Sequence, residues 1–158
     1  MTGYIFGEQH KFKYILTLVI TWIGNFTGTF LVGFLLRNSR LALTLIPAAQ
    51  QVVNAKLEDS WYSLMILGVF CGMLMYIGVD SFKKSQNQLS TLSTLMPVIC
   101  VSTFILAGFE HSIADMFYFF IAKSFTLESF VFIGIVILGN TVGGMLMPAV
   151  SVLANPKK

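Results

Sequence analysis

The stretch AGFEHSIADMF, Ala107 to Phe117, sets Glu110 beside His111 and Asp115 four residues on, inside one of the most apolar parts of the chain. A histidine with an ordinary pKa of about 6.5 can donate a hydrogen bond, accept one or exchange a proton near neutral pH. A neighbouring carboxylate can fix its tautomer or keep a proton at hand. Ionisable groups inside a membrane are costly and serve as functional candidates by default. Neither Gly-x-Ser-x-Gly nor His-Glu-x-x-His occurs, so His111 lacks a hydrolase setting and no enzyme activity is expected. Cys71 and Cys100 have no metal-ligand spacing and suit small packing roles, so neither metal nor cofactor is expected.

The elements that must position these groups are membrane helices. The chain is 56% hydrophobic and 11% charged, with a mean hydropathy of +0.79, whereas an ordinary soluble domain carries roughly 25% charged residues. Its apolar runs match the ~20 residues that cross a bilayer. The expected fold class is therefore an all-α membrane protein, a single transmembrane domain over 1–158. The net charge of +3 comes from residues at the ends of the runs, which fits topogenic signals and excludes a nucleic-acid surface. The opening MTGYIFGEQHKFK lacks the ordered parts of a secretory signal, so the first span is expected to direct insertion.

The spans are expected at about 14–36, 61–79, 92–122 and 130–153. Between the first two lies LALTLIPAAQQVVNAKLEDS, whose Pro47, paired glutamines and acidic end suit an interfacial or re-entrant helix. The run 92–122 is too long for one simple crossing, since 31 helical residues reach about 46 Å. A break near 108–112, at Gly108, accounts for both the length and the charges. Lys11, Lys13, Lys83, Lys84, Lys157 and Lys158 fall on one side, against Arg37, Arg40, Lys56 and Lys123 on the other. Both termini are accordingly expected in the cytoplasm of a multi-pass cell-membrane protein.

WIGNFTGTFLVG in the first span and ILGNTVGGMLMP in the last both read Gly-Asn-x-x-Gly, pairing Gly24, Asn25 and Gly28 with Gly139, Asn140 and Gly143. The glycine spacing allows helix backbones to approach closely, and each asparagine needs a partner at that depth. Many transporters consist of two inverted halves with broken helices meeting at the midplane. If the first and last spans are equivalent, one half is complete here and the other is represented only by its last member.

With these residues in view, the chain resembles the formate/nitrite transporter family. AGFEHSIADMF is similar to the motif of the family's broken fifth helix, GNTVGG to its sixth, GNFTG to its third and GVFCGMLMYIGV to its fourth. MTGYIFGE is similar to the exit from its broken second helix. The resemblance covers about the last two thirds of a usual member. It implies an aquaporin-like channel fold with an incomplete inverted repeat, homo-oligomers (pentamers in the family) in the lipid bilayer, and passage of a small monovalent anion such as formate, nitrite or hydrosulfide. His111 would then be the central pore histidine and Glu110 its polar partner. Phe104 would form an aromatic constriction and Lys56 would make the path electropositive, with Asn140 and Asn25 as polar residues of their helices. Gly72 and Asp115 stand where some members have asparagine, and Asp115 would oppose an anion unless protonated or paired with a donor. The competing expectation is a truncated or inactive transporter with a structural membrane role. A small four-span drug exporter fits less well, because of the long broken span and the Gly-Asn repeat.

Overall fold

The structure, a computed structural model, describes residues 11–85 and 91–154. The segment Met1 to Glu8, the link after Ser85, and Lys157 and Lys158 lie outside them. The described residues form six helices: α1 (Lys11–Arg37), α2 (Ala42–Leu57), α3 (Trp61–Ser85), α4 (Thr91–Leu106), α5 (Ser112–Ala122) and α6 (Leu127–Ala154). Among the described residues, three stretches are long and apolar enough to cross a membrane: Ile15–Arg37, Trp61–Lys83 and Leu127–Leu153. The run 92–122 comprises two shorter helices, α4 and α5, separated by a non-helical link at 107–111.

In hydrocarbon every polar group must find a partner within the protein, and the hydroxyls of these helices turn back on their own backbone. Thr17, Thr21, Thr103, Thr141 and Ser151 each donate to the carbonyl four residues earlier, at 2.7–3.0 Å. The helix ends are sealed similarly. Asn38 Nδ2 donates to the Phe34 carbonyl (2.8 Å) and Ser39 Oγ to that of Leu36 (2.7 Å), closing α1. Asp59 accepts from the Ser60 amide and the Ser63 hydroxyl, each at 2.7 Å, opening α3. At the start of α6, Thr126 and Ser129 bond reciprocally through side chain and amide.

Helix α3 packs along α6 and also against α4, while α5 is held by α1, α2 and α6. The α3–α6 contact is so close because both helices carry Gly-x-x-x-Gly. A methyl group at Gly139 would sit 2.8 Å from the Met65 carbonyl oxygen, and one at Gly143 would collide with the Val69 carbonyl. The matching glycines of α1 are in a different setting, with no neighbour within 4 Å of a methyl at either Gly24 or Gly28. The repeat is thus one of sequence and not of environment.

The core centres on α5, the shortest helix. Met116, Phe119, Ile121 and Ala122 are buried against Ala49 and Val53 of α2, Leu64 of α3, and Phe132, Ile133 and Val136 of α6. Phe26 of α1 joins this core through an aromatic group with Phe120 (5.2 Å), Phe125 (5.6 Å) and Phe130 (6.4 Å between centroids). These contacts fix α5, and with it the polar residues at its N-terminus.

Candidate functional site

The break between α4 and α5 is a defined turn. Gly108 has φ +69°, a left-handed value that glycine adopts without the Cβ penalty. The Phe109 amide donates to the Phe104 carbonyl (2.9 Å) and the Gly108 amide to that of Ile105 (3.2 Å), the paired bonds of a Schellman cap. The chain then runs extended through His111 (φ −118°, ψ 111°), which is the N-cap of α5.

His111 Nδ1 accepts from the Ala114 amide at 3.4 Å. This cap occupies the Nδ1 lone pair, so in the neutral ring the proton sits on Nε2, leaving Nε2–H as a donor for another group. The Phe104 ring stacks on the imidazole, with centroids 5.2 Å apart and planes 11° from parallel. On the other side of the link, Phe109 stacks on Phe70 of α3 at 5.6 Å.

The carboxylates lie deeper. Glu110 is 4% exposed and Asp115 1%. Lys56, in the last turn of α2, pairs with both: Nζ bonds Glu110 Oε2 and lies 3.1 Å from Asp115 Oδ1. Its ammonium also stands 5.9 Å from the centre of the Phe132 ring. Helix dipoles favour this arrangement, with a cation at the end of α2 and a carboxylate in the first turn of α5.

Asn140 of α6 holds the link in place. Its Nδ2 donates to the Glu110 carbonyl (2.8 Å) and to the Gly68 carbonyl of α3 (3.0 Å), while its Oδ1 accepts from the Ser112 amide (3.1 Å). One side chain thus satisfies backbone groups on both sides of His111 and ties them to α3.

His111, Glu110, Phe104, Lys56, Asn140 and Asp115 therefore meet at one place. Asn25 does not join them: it is half-buried on α1, where its carbonyl accepts from Thr29 Oγ1 at 2.9 Å. The Glu110 side chain goes to Lys56, and the group engaging His111 Nδ1 is the Ala114 amide. Two further polar contacts secure the far end of α5, from Arg37 Nη1 to the Phe120 carbonyl (3.2 Å) and from Gln50 Nε2 to that of Ala122 (3.5 Å). The arginine carried only a topological signal in the sequence. Among the described residues, no group of three or more His, Cys, Asp or Glu is placed to hold a metal ion.

Membrane-length helices around a capped helix break, with an ion-pair cluster and a histidine at the break, fit the architecture of a membrane transport protein. The formate/nitrite transporter family model matches residues 1–154, and the chain belongs to that family. The chain is similar to a curated protein of Haemophilus influenzae named formate channel FocA, at 22% identity over 107 residues. That match covers 63% of this chain and 36% of the relative's length. No solved structure matches the chain.

Proposed function

We propose that this protein carries small monovalent anions, formate, nitrite or a similar species, across a lipid membrane along a path that passes His111. The observation that carries the reading is the capped imidazole: Nδ1 is engaged by the Ala114 amide, which leaves the Nε2–H, without a partner among the described residues, to meet an anion. Phe104, stacked on the ring, is the apolar neighbour that would exclude hydrated ions by size and dewetting. Lys56 makes the surroundings of the break less negative, and Asn140 keeps the link rigid enough to present the imidazole in one orientation. Asn25, on the neighbouring span, is a further polar residue of the path in this reading. Family membership and the relative's name support the anion class. A homo-oligomer, a pentamer by family resemblance, and cytoplasmic termini belong to the same proposal.

Proteoliposomes containing the full chain test it by uptake of labelled formate against empty vesicles. Uptake above the empty-vesicle rate is expected, and equal rates would refute the proposal. A second reading, a chain with a structural membrane role and no flux of its own, draws on α1, none of whose most apolar window is buried. Equal rates from a chain that inserts and folds would favour it.

A further inference from the structure

Lys56 supplies one positive charge to two buried carboxylates, Glu110 and Asp115. With all three ionised the cluster carries a net charge of −1 in surroundings where Asp115 is 1% exposed. Uncompensated charge at such depth is expensive, and two carboxylates sharing a site do not both ionise cheaply. The geometry marks where compensation is lacking. Asp115 Oδ1 faces Lys56, but Oδ2 is buried and has no hydrogen-bond partner among the described residues. The groups acting on Asp115 are Lys56 from α2 and Glu110 from the link, with the Cys71 thiol of α3 beside the cluster and His111 one turn back on the same helix.

We propose that the Lys56–Glu110–Asp115 cluster is a proton-binding site, with the proton held on Asp115 Oδ2. Protonated, the cluster is neutral, and an anion at His111 meets no net negative charge from it. Deprotonated, it opposes the anion from within the same break. Asp115 is then a specificity-determining residue that ties anion flux to proton occupancy. This second part rests on the transport reading, while the proton site stands on the cluster's geometry.

Infrared spectroscopy of the full chain in lipid separates the two. The expected spectrum at neutral pH contains the C=O stretch of a protonated carboxyl, shifting in D2O, present in the wild type and absent from Asp115→Asn. The exposed control Asp59→Asn should retain it. A band that survives Asp115→Asn but vanishes in Glu110→Gln would overturn the assignment, as would its absence from the wild type. In the flux arm, wild-type formate uptake should fall about tenfold per pH unit above the transition, the slope for one proton, while Asp115→Asn stays nearly flat. Coinciding profiles would overturn the coupling. If neither protein exceeds empty vesicles, the transport reading fails and the infrared band still decides the proton site.

Discussion

Lys56 Nζ reaches from the last turn of α2 to within 3.1 Å of Asp115 Oδ1 in the first turn of α5, and the same ammonium bonds Glu110. A single lysine thus ties the re-entry of the broken span to a different helix. It also answers why acidic residues sit so deep in an apolar run. Both carboxylates are paired, and the pairing defines the local geometry of the break.

Removing that lysine should be severe. Lys56→Met leaves Glu110 buried without its counter-charge and Asp115 without its donor, a loss of about 3–5 kcal/mol for a broken buried pair. Thermal unfolding in detergent should show a much lower midpoint for Lys56→Met, with partial recovery when Glu110→Gln is added. A variant that melts with the wild type would show that the cluster contributes nothing to the fold.

The two Gly-Asn-x-x-Gly copies should respond unequally to the same change. Gly143→Ala drives a methyl into the Val69 carbonyl and into backbone that cannot yield, so a cost of about 1–3 kcal/mol is expected. Gly24→Ala meets open space and should stay within about 0.5 kcal/mol of the wild type. Unfolding midpoints of the two variants in one detergent compare them directly, and equal losses would contradict the α3–α6 packing.

Lys123 is the left-handed C-cap of α5, at φ 59°, with the Ser124 amide bonded to the Phe119 carbonyl at 3.1 Å. A lysine adopts this conformation at a cost of roughly 1–2 kcal/mol that glycine avoids. Lys123→Gly should therefore raise the unfolding midpoint. A lowered midpoint would mean that the lysine side chain supports the turn in some other way.

Much of this architecture was legible in the sequence for physical reasons. The three longest helices are long because their runs are apolar, and the break at Gly108 follows from a run too long for one crossing with charges part-way along it. The cluster's full membership was harder to see. Lys56 and Glu110 are 54 residues apart, and nothing local tells an interfacial lysine from one that reaches inward. The Gly-Asn repeat concealed a real difference, because a motif specifies close approach without specifying a neighbour: Gly139 and Gly143 have α3 against them, whereas Gly24 and Gly28 have open space. The cap at Lys123 is not legible in the sequence because lysine is an unusual residue for a left-handed turn. Glu110 is the sequence neighbour of His111, and its side chain turns to the only cation within reach of both carboxylates among the described residues.

The central claim is that an anion passes His111 and takes a hydrogen bond from its Nε2–H. Formate uptake by proteoliposomes of the wild type and of His111→Ala, at matched protein content and pH, tests it most directly. His111→Ala removes the donor and the ring that stacks on Phe104, so both the rate and the preference for formate over chloride should change, the rate by at least about tenfold, the loss of one charge-assisted bond. Unchanged rate and unchanged selectivity in a folded His111→Ala protein would contradict the account.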